Sequence, residues 1–176
     1  MQEERLMAAK VMFETERLVI RDWLESDGDR VFDIYRRWEV SRWLGAEPRV
    51  MADRDAASRT IERWNQRNSH ATYGVWAVEE QASGVVAGTV LLVPLPGETG
   101  EIEVGWHFHP DAWGRGLATE AAFGAIVHGR KAGLTDIYAV VRPDNAASIA
   151  VCGRLGMRPL GRTSRWYDAE LEHFVI

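Results

Sequence analysis

Residues 109–121 read His109-Pro110-Asp111-Ala112-Trp113-Gly114-Arg115-Gly116-Leu117-Ala118-Thr119-Glu120-Ala121, where the chain leaves an apolar run, turns on two glycines and enters an alanine-rich helical pattern. Gly114 and Gly116 permit close approach of the backbone to a ligand. The unpaired N–H groups of a helix's first turn, with the positive end of the helix dipole, form a site for a phosphate or pyrophosphate, and Arg115 adds charge at its rim. The same glycines would also serve as a plain tight turn between a strand and a helix. A dinucleotide fingerprint fits worse: it wants glycine or alanine where Thr119 stands and an acidic residue ending the next strand, whereas Asp136 precedes its strand.

Just upstream, residues 101–108 alternate, with Ile102, Val104, Trp106 and Phe108 on one face and Glu101, Glu103, Gly105 and His107 on the other. A carboxylate and an imidazole thus share the polar face. At roughly 3.3 Å per residue they stand about 13 Å apart, too far to contact one reacting group. Downstream, Ser148 and Cys152 are four residues apart and share one face of a helix.

The elements that position these groups follow from pattern and punctuation. Residues 15–23 read as a strand, and Glu25-Ser26-Asp27-Gly28 can cap a helix running to about Arg37. Residues 51–68 form a second helical stretch. Residues 73–79 and 85–93 are apolar runs joined by Gln81-Ala82-Ser83-Gly84, an antiparallel hairpin. The strand at 101–108 leads into a helix over 117–131, stopped by Gly133. A strand at 137–141, a helix from Ala146 to Leu155 and strands near 157–161 and 171–176 complete the chain. The order mixes antiparallel hairpins with a β-α-β crossover, so a mixed sheet covered by helices is expected.

The 176 residues suit a single domain, read as 13–176, preceded by a flexible extension over residues 1–12. A net charge of −5 with scattered basic residues argues against a nucleic-acid partner. No apolar run approaches the roughly 20 residues of a membrane span. The lone Cys152 excludes an internal disulfide framework or a multi-cysteine zinc site, and a reducing compartment, the cytoplasm, is expected.

The ordered motifs resemble the GNAT acetyltransferase superfamily, whose coenzyme A motif is Gln/Arg-x-x-Gly-x-Gly/Ala at the start of the central helix. Asp111-Ala112-Trp113-Gly114-Arg115-Gly116 matches that spacing, with Asp111 where the family usually has Gln or Arg. Thr15-Glu16-Arg17-Leu18, Leu117-Ala118-Thr119-Glu120-Ala121, Asn145-Ala146-Ala147-Ser148 and Leu155-Gly156-Met157 are similar to the branch of ribosomal-protein alanine N-acetyltransferases. The resemblance spans residues 14–176. It implies an α+β GNAT fold with a mixed, mostly antiparallel sheet of six to seven strands and helices on both faces. It implies acetyl-CoA as cosubstrate, no metal, and transfer of acetyl to a primary amine, on a protein N-terminus or a small molecule, by direct attack in a ternary complex. A homodimer is a common form in the family. A non-catalytic acyl-CoA-binding domain is the alternative.

The resemblance also implies roles. Trp106, His107 and Phe108 match the strand that holds the pantetheine arm, and backbone from Trp113 through Gly114, Arg115, Gly116 and Leu117 to Ala118, with Thr119, matches the phosphate site. Asn145 is carried over as a contact to the coenzyme arm, with helix capping as the plainer reading. Glu103 is the preferred base, ahead of His107 and His109. The family's usual tyrosine acid is replaced by Cys152, which would line the sulfur pocket or be a small buried hydrophobe. Ser148 matches the serine that the ribosomal-type branch uses as acid. Trp38, Trp43 and Trp64 fall where the acceptor pocket is usually walled, with core packing as the alternative. Nearby Arg36, Arg37 and Arg42 would meet an acidic acceptor or simply face solvent.

Overall fold

A computed structural model describes residues 9–97 and 100–176. Of the expected flexible extension, residues 1–8 lie outside the described residues. The following ones are already part of the fold: the Lys10 carbonyl accepts from Asp22 N–H at 2.9 Å, and Val11 opens strand β1 (Val11–Glu14). This strand pairs antiparallel with β2 (Leu18–Arg21) through a bulge between Val11 and Phe13. It brings the sheet to eight strands, one more than the sequence pattern suggests.

After β2 come α1 (Gly28–Tyr35), the single turn α2 (Trp38–Ser41) and α3 (Arg54–Arg67), whose N-cap Asp53 accepts from Ala56 N–H at 2.7 Å. The expected hairpin is β3 (Gly74–Glu80) and β4 (Val86–Pro94), followed by β5 (Ile102–Phe108). Helix α4 (Leu117–Lys131) crosses to β6 (Ile137–Val141), α5 (Ala146–Arg154) follows, and β7 (Arg158–Thr163) and β8 (Leu171–Val175) close the sheet. Strand order is β1-β2-β3-β4-β5-β6-β8-β7, antiparallel except for the parallel pair β5–β6 that the crossover creates.

Helices cover both faces. On one, Ala121, Ala122 and Ala125 of α4 lie against Trp76, Val90 and Leu92 of the sheet, small residues letting the helix axis come close. On the other, Val31, Ile34 and Tyr35 of α1 and Ala57 and Ile61 of α3 pack with Trp23 and Ala77. A buried charge cluster ties α1 to the sheet: Arg21, fully enclosed, donates to Glu79 Oε2 (2.6 and 2.9 Å) and to both Asp27 oxygens (2.8 and 3.2 Å). Burial opposes the Arg21 charge, but Asp27 and Glu79 outweigh it and raise its pKa. Among the described residues no helix is long and apolar enough to cross a membrane.

Strands β4 and β5 approach closely at Gly88, where an added Cβ would sit 2.4 Å from the His107 carbonyl oxygen and 2.8 Å from Phe108 Cα. Backbone cannot swing aside as a side chain can. Gly88→Ala is therefore expected to destabilise the fold by roughly 1–3 kcal/mol and to lower activity with it, measured by thermal melting and turnover. An unchanged Tm would show that the two strands separate freely here.

Candidate active site

The parallel ladder between β5 and β6 is short. Its residue partners are Ile102 with Ile137 and Glu103 with Tyr138, whereas β4 stays paired with β5 along to Phe108. Beyond Glu103 the two parallel strands splay, leaving one backbone edge of β5 without a strand beside it. A cleft of about 1070 Å³ occupies this opening, lined by Val104 to Phe108 of β5 and by Ala139 to Val141 of β6.

At one end of the cleft stands the start of α4. Gly114 (φ 71°) and Gly116 (φ 76°) take left-handed conformations that other residues adopt at a cost of roughly 1–2 kcal/mol each. Gly116, as N-cap, offers no capping side chain, so the first-turn N–H groups have no side-chain acceptor at that cap. Trp113, Gly114, Gly116, Leu117, Ala118 and Thr119 all line the cleft. The turn is braced from outside. Glu120 accepts from Thr15 Oγ1 (2.6 Å) and from Arg17 N (2.8 Å) and Nε (2.6 Å), and Arg17 Nη1 donates to the Arg115 carbonyl at 3.0 Å. The Thr15-Glu16-Arg17-Leu18 and Leu117-Ala118-Thr119-Glu120 motifs are thus one contact seen twice in sequence.

Arg115 is a correction to the sequence reading: its side chain leaves the cleft and pairs with Glu80, whose carboxylate binds both terminal nitrogens. Only its backbone belongs to the turn. Asp111 also turns away, its two oxygens each 3.0 Å from Arg30 Nη2 of α1. Burial acts to raise its pKa, but Arg30 and His109 prevail and hold it below the ordinary value. Its charge is thereby paired beside the Gly114–Gly116 turn.

Trp106, His107 and Phe108 line the cleft as expected, and so do Asn145 and Ser148. Asn145 Oδ1 caps α5 by accepting from Ser148 N–H at 3.2 Å, so the capping reading holds while the residue also faces the cleft. Of the two readings of Cys152, the small buried hydrophobe holds and the sulfur-pocket lining does not. The side chain is fully buried in the core with α4 and the sheet, off the cleft wall, and burial pushes its thiol up to about 12. The helical spacing from Ser148 is right, but by that turn the stripe has passed from the cleft mouth into the core.

Glu103 sits where the strands begin to part, 8% exposed. Burial raises its carboxyl to about 7, against the lowering effect of a hydrogen bond from Tyr167 Oη at 2.6 Å. The polar face of β5 is therefore not solvated; it is the wall of the cleft. Tyr167 escaped the sequence reading. It lies in the β7–β8 connection, 64 positions from Glu103, in consecutive left-handed residues with Asp168 (φ 59° and 47°). Buried Trp166, packed with Leu95 and Leu171, holds that strained turn in place. Burial first, then the Glu103 charge, raises the Tyr167 pKa, so the phenol stays protonated and donates.

The histidines differ in role. His107 lies in the cleft wall, its Nδ1 3.0 Å from Tyr35 Oη, which in turn meets Thr89 Oγ1 at 2.7 Å. Burial lowers its pKa to about 4, so it is neutral near pH 7. His109 faces away and is a strut: Nε2 meets Asp33 at 3.0 Å and Nδ1 accepts from Asp111 N–H at 3.2 Å. Trp43 and Trp64 line the cleft, as does Arg42, but Trp38 is 54% exposed and outside it. Arg36 and Arg37 pair with Asp33 instead. Among the described residues no group of three or more His, Cys, Asp or Glu side chains is placed to hold a metal ion.

The acetyltransferase (GNAT) domain family matches residues 17–158. The chain belongs to the GNAT acetyltransferases. An uncharacterized N-acetyltransferase of Bacillus subtilis (strain 168), YoaA, is 27% identical over 151 residues, covering 85% of this chain and 84% of its own length. A GNAT-family acetyltransferase from Bacillus anthracis superposes with a TM-score of 0.76 at 22% identity, covering 93% of this chain and 96% of its own. The ribosomal L7/L12 α-N-protein acetyltransferase RimL, in complex with coenzyme A, superposes at 0.79 with 14% identity, covering 95% and 97%. The protein is accordingly an acetyl-CoA-dependent N-acetyltransferase with the α+β GNAT fold.

Proposed function

We propose that the enzyme transfers acetyl from acetyl-CoA to a primary amine by direct attack in a ternary complex in the cytoplasm, with Glu103 as base and Ser148 as acid. The observation that carries this reading is the placement of an enclosed carboxyl, raised to about 7, at the apex of the β5–β6 opening. The diphosphate lies at the Gly114–Thr119 turn and the pantetheine amides pair with the free edge of β5, as an added strand would. The thioester carbonyl then lies toward the apex. Glu103, directly or through water, takes a proton from the ammonium, and the neutral amine attacks the carbonyl carbon. As the C–N bond forms, a backbone N–H of the open edge stabilises the oxyanion. The C–S bond then breaks, the Ser148 hydroxyl passes its proton to the departing thiolate, and the proton shed by the acylated nitrogen returns to Ser148, directly or through water.

Thiol release from acetyl-CoA across primary amines and N-terminal peptides tests the reaction, and intact mass tests its route. With acetyl-CoA alone the protein keeps its own mass. An acetyl adduct formed without acceptor, and passed on when amine is added, would sink direct attack.

Tyr167 tunes the base. Its hydrogen bond lowers the Glu103 pKa against burial, so Tyr167→Phe leaves burial unopposed and the pKa climbs. A protonated carboxyl cannot accept a proton, so the acidic limb of the kcat/KM profile moves to higher pH and turnover at pH 7 falls. A limb that stays in place, or moves to lower pH, would remove Tyr167 from this role.

A further inference from the structure

Most guanidiniums outside the cleft hold a carboxylate, with Arg63, Arg130 and Arg158 the exceptions among the described residues. Arg17, Arg21, Arg30, Arg115, Arg162 and Arg165, off the cleft wall, each hold a carboxylate within 3.0 Å. Arg42, Arg67, Arg142 and Arg154 line the cleft, and among the described residues none of them forms an ion pair. In a chain of net charge −5, where acidic residues outnumber basic ones, these four guanidiniums share the cleft with Glu39, Glu103 and Asp144 but pair with none of them.

These four arginines have different places. Arg154 ends α5, on the side of Asn145 and Ser148. Arg142, at the end of β6, donates to the Gly45 carbonyl at 2.6 Å and so holds the loop after α2. Arg42 and Arg67 belong to the opposite wall. Arg42 lies over the Trp43 ring at 4.0 Å, an orientation that keeps its N–H groups available at the edge. Arg67 ends α3 one turn beyond Trp64 and stands near enough to Tyr167 for its charge to act on the phenol. Both are therefore grouped with the aromatic wall around Glu103, away from the phosphate turn. The carboxylates that line the same cleft are Glu103, Asp144 and Glu39, the last approached by Arg37 at 3.9 Å.

A polycation would meet four guanidiniums against three carboxylates in this cleft, with Arg42 and Arg67 standing beside the indoles of Trp43 and Trp64. Resting on the amine-acetylation reading, we infer that the acceptor is a primary amine that also carries a carboxylate, bound by Arg67 and Arg42 against Trp43 and Trp64 while its nitrogen reaches Glu103. A guanidinium binds a carboxylate through paired charge-assisted hydrogen bonds, which an amide cannot accept equally. The carboxylate belongs either to a free amino acid or to an acidic residue beside a peptide N-terminus, and the acceptors tested separate the two.

The experiment compares kcat/KM for matched acceptors: phenylalanine against phenylalaninamide, and a peptide with aspartate at its second position against the same peptide with asparagine, with spermidine as a dicationic control. The carboxylate member of at least one pair is favoured by about tenfold or more, and the pair showing the preference names the source. Arg67→Gln and Arg42→Gln each reduce that ratio, and Arg67→Lys, which keeps the charge, retains more of it than Arg67→Gln does. Amides or spermidine acetylated as well as the acids, or a ratio untouched by Arg67→Gln, overturn the inference while leaving amine acetylation standing. Absence of turnover with every amine overturns both.

Discussion

With Glu103 replaced by glutamine, kcat/KM for the best amine falls by about a hundredfold or more, the range of a lost general base. The amide keeps the shape of the side chain and a hydrogen-bonding oxygen for Tyr167, so acetyl-CoA still raises the Tm: the phosphate turn lies at the other end of the cleft. The pH profile separates a chemical role from a structural one. In the wild-type enzyme the rate rises as Glu103 loses its proton, giving an acidic limb near pH 7, where burial places its carboxyl. In the glutamine variant that limb is gone. A loss below about threefold, or the same limb in the variant, would remove Glu103 from the role of base.

The largest stability effect is expected at Arg21. Arg21→Met leaves the Asp27 and Glu79 carboxylates without their shared cation in a site from which water is excluded. Breaking a buried ion pair by removing one partner costs about 3–5 kcal/mol, which for a chain of this size lowers the Tm by roughly 6–20 °C. The cost lies in the abandoned charges rather than the missing side chain, so adding Asp27→Asn and Glu79→Gln recovers part of it. A triple variant no more stable than Arg21→Met would mean that packing, not charge, carries the effect. The cluster also anchors the start of α1, the helix that grips Asp111 through Arg30 and meets His107 through Tyr35. Arg21→Met should therefore lower activity at temperatures where the protein is still folded.

Much of this was legible in the sequence because it is local. The alternation of 101–108, the two glycines and the alanine-rich helix are periodic or punctuating signals, and they locate β5, the phosphate turn and α4 to within a residue or two. Strand β1 was missed because four residues with a bulge carry too little alternation to separate them from a tail. Tyr167 was missed for a different reason. It stands in an irregular connection and acquires its meaning only from β8 folding back beside β6, which brings the phenol to Glu103. Arg115 was placed correctly along its backbone and wrongly in direction, and Cys152 was left between sulfur pocket and core, since periodicity says which face a residue shares but not where that face ends. Arg21 lies inside the strand read over residues 15–23, and only the tertiary fold shows that it is enclosed.

The β5–β6 junction divides the sheet into five strands on one side and three on the other, tied at that seam by the Ile102–Ile137 and Glu103–Tyr138 pairs. A coenzyme bound across the seam, as proposed, would act as a splice, and cohesion would then follow mass action: at a hundred times its dissociation constant a ligand adds about 2.7 kcal/mol. On that reading the enzyme without acetyl-CoA is more easily opened as well as idle, and the rate of proteolysis with and without acetyl-CoA measures the difference.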